Sequence, residues 1–145
     1  MNINIINGPN LNLLGRREPE KYGNISFDDF LGSLRKKYPS VNFAYFHSNV
    51  EGEIINEIHR IGFDSDGIIL NAGGYSHTSV AIADAISAIS KPVVEVHISN
   101  LLSREEFRHS SLTGAVCRGT IMGFGLDGYR LAAEALIKIN NTGKK

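Results

Sequence analysis

Gly67-Ile68-Ile69-Leu70, then Thr78 to Ser90 with Val80, Ile82, Ala83, Ile86 and Ile89, then Pro92-Val93-Val94-Glu95-Val96-His97: residues 67–97 decide the fold. The flanking runs are rich in Val, Ile and Leu, which suits strands covered on both faces, as in a parallel sheet. The middle segment repeats its apolar residues at helical spacing and stops before proline, so it serves as the crossover helix of a right-handed βαβ unit. Three more runs of the same character lie outside it, Ile3–Ile6, Val41–Phe46 and Gly119–Phe124.

Helical stretches fill the remaining gaps. One starts at Ser26 with Asp28 and Asp29 in its first turn, carries Phe27, Phe30, Leu31 and Leu34, and ends near Tyr38-Pro39. Acidic residues at that end complement the helix dipole. A second carries Ile54, Ile55, Ile58 and Ile61 and ends at Gly62; the last spans about Gly128 to Ile139. This alternation predicts an α/β fold in one domain over 1–145: a flavodoxin-like, doubly wound, five-stranded parallel sheet with helices on both faces.

A chain of 145 residues, 42% apolar, can bury a core without disulfides or metal staples. Fifteen basic residues balance fifteen acidic ones, so nothing draws the chain generally to nucleic acid or an anionic membrane. Arg16, Arg17, Arg104 and Arg108 nonetheless cluster in two loops. The single cysteine, Cys117, can form no internal disulfide, which fits a reducing cytoplasm, and its neighbours make no cysteine-enzyme signature. Neither a signal peptide nor an apolar run near ~20 residues is visible, so the expectation is a soluble, cytoplasmic protein.

Open α/β sheets bind ligands beyond the carboxyl ends of their strands, where strand order reverses. After the first run comes Asn7-Gly8-Pro9-Asn10-Leu11, then Gly15-Arg16-Arg17-Glu18-Pro19-Glu20-Lys21-Tyr22-Gly23. Asn7 reads as a turn former. The connection exceeds ordinary βα loop length, and glycines bracket its basic part, as in a mobile lid at about 15–25. Tyr22 is a poor base unless nearby guanidinium charge stabilises its anion. After the third run come Asn71-Ala72-Gly73-Gly74 and His77-Thr78-Ser79, a set that favours a polar-ligand pocket. In the fourth, strand alternation places Glu95 and His97 on one face. A carboxylate accepting from one ring nitrogen fixes the tautomer and leaves the other nitrogen for proton transfer. Arg104 and Arg108 share a face if their segment is helical, and Asp84 stands alone on an apolar helix.

Two signals carry less than they suggest. Gly123-x-Gly125-x-x-Gly128 has dinucleotide-site spacing, but no further strand with an acidic residue follows it. Five histidines form no metal-ligand pair, so no metal or other cofactor is assigned.

Taken in order, these segments resemble the type II 3-dehydroquinate dehydratases. The motifs are Asn7-Gly8-Pro9-Asn10-Leu11, Gly15-Arg16-Arg17-Glu18-Pro19 with Tyr22-Gly23, Asn71-Ala72-Gly73-Gly74, His77-Thr78-Ser79, Glu95-Val96-His97-Ile98-Ser99-Asn100 and Arg104-Glu105-x-Phe107-Arg108. Gly119–Gly125 and Gly128-Tyr129 extend the match over nearly the whole chain. The resemblance implies metal-free anti elimination of water from 3-dehydroquinate through an enolate, a shikimate-pathway step, in a dodecamer built as four trimers. It assigns Tyr22 as base, Arg17 as its activator, Asn10 to the enolate oxygen through water, and His97, oriented by Glu95, as acid. Asn71 with Ile98 and Ser99 would bind the substrate carboxylate, His77 and Arg108 the ring hydroxyls, and Asp84 would reach a neighbouring subunit's site.

The rival reading is a non-catalytic flavodoxin-like module binding a small ligand. A phosphoacceptor receiver wants acids where Asn7 and Asn71 stand, a flavin site wants a Ser/Thr-rich phosphate loop, and a hydrolase wants a G-x-S-x-G elbow; none is present.

Overall fold

The computed structural model describes residues 1–16, 20 and 24–143. The five apolar runs form β1 (Asn2–Asn7), β2 (Asn42–His47), β3 (Gly67–Asn71), β4 (Val93–His97) and β5 (Gly119–Met122). Every pairing is parallel, and the order is β2-β1-β3-β4-β5, the flavodoxin-like order expected. Four α-helices of nine to sixteen residues accompany them: α1 (Phe27–Lys37), α2 (Glu51–Ile61), α3 (Val80–Ala88) and α4 (Asp127–Thr142).

Side-chain parity along the central strands creates two cores. Ile3, Ile5, Ile69, Val94 and Val96 face one way and pack on Phe27, Leu31 and Leu34 of α1 and on Tyr129, Ala132, Ala133 and Leu136 of α4. Ile6, Ile68, Leu70 and Val93 face the other way, against Ile54, Ile58 and Ile61 of α2 and Ile82, Ala85 and Ile86 of α3. β3 and β4 are buried along their whole length. Each buried Ile or Leu contributes about 1.5–3 kcal/mol, so the double covering of these strands dominates the energetics.

Element ends follow local chemistry. Ser26 Oγ accepts from the Asp29 amide (3.2 Å) and starts α1 where the sequence predicts. α3 is shorter than the predicted 78–90 because Ser79 Oγ accepts from the Ile82 amide (2.9 Å), making Ser79 the cap. β5 stops at Met122, two residues early, because Gly123 turns the chain at φ 91°. The segment after β4 holds 3₁₀ turns at Leu101–Ser103 and Glu106–Arg108, with Arg104 extended between them. Arg104 and Arg108 are therefore not on one α-helix face. Asn100 intervenes: its Oδ1 accepts from the Leu102 amide, and its carbonyl accepts from Ser103 Oγ.

The exits of β1 and β3 interlock. The Gly8 amide donates to the Asn71 carbonyl at 2.7 Å, and a Cβ at Gly8 would stand 2.6 Å from the Ala72 carbonyl oxygen. Backbone cannot yield as a side chain can, so Gly8→Ala is expected to cost about 1–3 kcal/mol in denaturant unfolding. Gly32, inside α1 with open space around its Cβ position, is the control. Gly32→Ala is expected to be neutral or to stabilise by about 0.5–1 kcal/mol. Equal stabilities of the two variants would contradict this packing.

Candidate active site

Register sets the floor of the site. Asn7 of β1 lies level with His47 of β2 and Asn71 of β3. Parity then divides the side chains: Asn71 shares its face with Ile69, towards α4, while Glu95 and His97 share theirs with Val93, towards α3. Between them opens a cleft of about 370 Å³, within the range of small-molecule sites. Pro9, Asn10, Leu13, Leu14, Asn71, Gly73, Gly74, His77, His97, Ile98, Ser99, Arg104 and Arg108 are among its lining residues.

Glu95 and His97 form the predicted pair. Glu95 Oε1 accepts from His97 Nε2 at 2.5 Å; Glu95 is fully buried and His97 nearly so. An unpaired buried carboxylate would be costly. Here it has two further donors, Ser111 Oγ on Oε1 (2.7 Å) and Thr113 Oγ1 on Oε2. Burial pulls the Glu95 pKa up, but the bond and charge of His97 with the two hydroxyl bonds outweigh it, and the net direction is down. With Nε2 committed, Nδ1 is the nitrogen left for a ligand, and it bonds to no other described residue.

His77 carries the opposite tautomer in its neutral form. Its Nδ1 lies 2.7 Å from the Ser110 carbonyl, which can only accept, so Nδ1 bears the proton and Nε2 is left open. The two imidazoles stack, with ring centres 6.1 Å apart.

Asn71 is held at both ends. Its Oδ1 accepts from the Gly73 amide (3.1 Å), and its Nδ2 donates to the Tyr129 hydroxyl (3.0 Å), keeping one N–H for a ligand. Tyr129 donates in turn to Asn7 Oδ1 (2.7 Å). Asn7 is thus more than the turn former its sequence position suggests: it is fully buried and anchors this chain of bonds. Burial pushes the Tyr129 phenol far above its ordinary value, so it stays a neutral donor. Asn10 takes the left-handed conformation (φ 69°), which asparagine tolerates better than most residues, and is exposed at the cleft.

Ile98 and Ser99 line the cleft directly after β4. Arg104 Nη1 reaches Ser99 Oγ (3.4 Å), and Arg108 Nε donates to Glu105 Oε2 (2.9 Å). Asp84 lies exposed on α3 and is not among the cleft residues, so within one chain it does not join the site. Arg17 and Tyr22 lie outside the described residues. Gly15 itself packs against described residues: a Cβ there would stand 3.4 Å from both the Asn24 carbonyl oxygen and the Ser26 amide nitrogen.

Sequence reasoning missed Ser111, Thr113 and the hydroxyl of Tyr129. The signals were a polar Ser110-Ser111-x-Thr113 run after the arginines and a tyrosine on an otherwise aliphatic helix stripe. Burial pushes the Cys117 thiol up to about 12, with the Glu95 charge adding to it, so the thiol stays protonated and is no nucleophile. Among the described residues no group of three or more His, Cys, Asp or Glu could hold a metal ion, and no helix is long and apolar enough to cross a membrane.

A doubly wound α/β sheet with a carboxylate-held imidazole in a polar crevice at its switch point defines a chain equipped to move a proton on a small ligand. The family Dehydroquinase class II matches it over residues 1–137. A 3-dehydroquinate dehydratase of Exiguobacterium sp. is 55% identical over 139 residues, covering 95% of each chain. The crystal structure of the type II dehydroquinase from Butyrivibrio crossotus is similar with a TM-score of 0.90 at 45% identity, covering 94% of this chain and 97% of that one. The structure from Propionibacterium acnes gives 0.87 at 38% identity, covering 97% and 96%. The chain belongs to the class II dehydroquinase family.

The lowered Glu95 pKa fixes the sign of a pH effect. Its contribution to stability is present above the unfolded carboxylate value near 4.5 and is lost as pH falls through the folded value. Glu95→Gln is expected to destabilise the fold by about 1–3 kcal/mol at pH 7, with the gap closing as pH falls below about 4.5. Denaturant midpoints across pH check this, and a gap constant with pH would refute it.

Proposed function

We propose that this chain removes water from 3-dehydroquinate to give 3-dehydroshikimate, by anti elimination through an enolate, as a step of the shikimate pathway in the cytoplasm. The observation that carries the reading is the Glu95–His97 pair at 2.5 Å, with His97 Nδ1 left for the cleft. Family membership gives the pair its substrate.

The tyrosinate of Tyr22 takes the proton from the carbon beside the ketone. The segment at about 15–25 then acts as a lid that carries the base. Arg17 holds the phenolate and stabilises negative charge as it develops; each unit by which the phenol falls raises the tyrosinate share about tenfold. Asn10 at the cleft wall holds the enolate oxygen through water.

His97 completes the elimination. As an imidazolium it keeps Nε2–H on Glu95 and gives the Nδ1 proton to the departing hydroxyl, which leaves as water. The Glu95 carboxylate holds the ring in place during that transfer. Asn71, with its spare N–H, binds the substrate carboxylate together with Ile98 and Ser99; His77 and Arg108 bind the ring hydroxyls. No step calls on a metal or an organic cofactor. Twelve chains assemble as four trimers, and Asp84, exposed on α3, then reaches the site of a neighbour.

Absorbance of the conjugated enone, followed with purified protein, 3-dehydroquinate and chelator, tests the reaction. An absorbance rise insensitive to chelator is expected; no rise refutes the dehydratase reading. Tyr22→Phe and His97→Asn should each lower kcat by at least about a hundredfold, with binding of substrate largely kept. Substantial kcat in Tyr22→Phe would assign the base elsewhere. Sizing chromatography should give a dodecamer, and a clean monomer would leave Asp84 without its role.

A further inference from the structure

The residues Ser110 to Gly114 carry none of the roles above, yet they touch both histidine systems of the cleft. The Ser110 carbonyl accepts from His77 Nδ1 (2.7 Å). Ser111 Oγ donates to Glu95 Oε1 (2.7 Å), and Thr113 Oγ1 donates to Oε2. The direction of the Ser111 hydroxyl follows because a carboxylate can only accept, and its oxygen accepts in turn from the Gly114 amide at 2.9 Å. At Gly114 a Cβ would stand 2.9 Å from Glu95 Oε1, 3.0 Å from Thr120 Oγ1 and 3.1 Å from Ser111 Oγ, so the backbone must pass bare at this point. The segment is itself fixed to the 3₁₀ turn Gly73–His77, because the Leu112 amide donates to the Ser76 carbonyl (2.8 Å).

We propose that Thr113 and Ser111 are positioning residues. Acting through Glu95, their two hydroxyls hold the His97 imidazole with Nε2 bonded and Nδ1 presented to the substrate. The geometry explains why two hydroxyls are needed. A carboxylate joined to the backbone by rotatable bonds can swing, and a single contact at Oε1 leaves Oε2 free to compete for the His97 proton. Thr113 occupies Oε2 and Ser111 shares Oε1 with the ring, so the plane of the carboxylate is set and one His97 orientation is selected. Thr113 is fully buried, which shields its contact from water. The same stretch fixes the opposite tautomer on His77, so the cleft presents one Nδ1 and one Nε2 side by side.

This role rests on the dehydratase reading for its kinetic consequence but not for its structural one, and the test separates the two. Thr113→Val removes the hydroxyl at nearly constant shape, and Thr113→Ser keeps it. Thr113→Val is expected to lower kcat at least about tenfold with KM changed less than about threefold, and Thr113→Ser to restore kcat to within about threefold of the parent. Equal losses in the two variants, or no loss in Thr113→Val, would overturn the assignment. Nitrogen-15 NMR of the His97 ring gives a readout that needs no activity. In the neutral form of the ring, at alkaline pH without substrate, the parent should show one protonated Nε2 and one bare Nδ1, whereas Thr113→Val and Ser111→Ala should average the two signals. Unchanged ring signals in Ser111→Ala, or in Thr113→Val if it folds, would overturn the assignment even if 3-dehydroquinate proved not to be a substrate.

Discussion

The carboxylate of Glu95 is shut off from solvent inside the sheet, and three donors meet it there: one ring nitrogen and two hydroxyls. A buried anion left short of partners would cost several kcal/mol, so the chain around it has little freedom. β4 must end where His97 can turn back to Glu95. The loop after the arginines must return to bring Ser111 and Thr113 over the strand, and Gly114 must lack a side chain for that loop to come close enough. One charge thus couples a strand end, a loop and an imidazole. The cleft inherits its His97 imidazole from that coupling.

A second constraint comes from the opposite face. Tyr129 of α4 is fully buried against Phe27 and Phe30 of α1, and its hydroxyl needs partners there. Asn71 and Asn7, the last residues of β3 and β1, supply them. Packing of α4 and the placing of a cleft-lining amide are therefore one event. Because Asn71 points to one face of the sheet and His97 to the other, the site draws on both cores and exists only when both have formed.

Much of this was legible in the chain. Five Val/Ile/Leu runs separated by helical stretches define a parallel sheet, because only strands covered on both faces can afford such composition. Strand alternation alone puts Glu95 and His97 together. Boundaries were less legible, since they follow single side chains: Ser79 caps α3 later than its periodicity suggests, and Asn100 turns the arginine segment away from an α-helix. Ser111 and Thr113 were invisible, because short hydroxyls in a loop look alike whether they face water or a buried carboxylate. Gly123 to Gly128 read as packing glycines, and they are: the Gly123 and Gly125 amides donate to the His97 and Ile98 carbonyls, and a Cβ at Gly128 would stand 3.2 Å from Val96.

By itself, then, the order of residues determined the class of fold, the strands whose ends line the cleft and the pairing of Glu95 with His97, since each of these depends on local periodicity. Which ring nitrogen faces the cleft, and what keeps the Glu95 charge in place, were decided only by tertiary structure. Those depend on contacts between residues 16 to 18 positions apart on different elements, and on Tyr129 bonding to Asn7 across 122 positions. No local pattern encodes a hydrogen bond that long in sequence; it forms because the sheet and α4 bring the partners to one buried place.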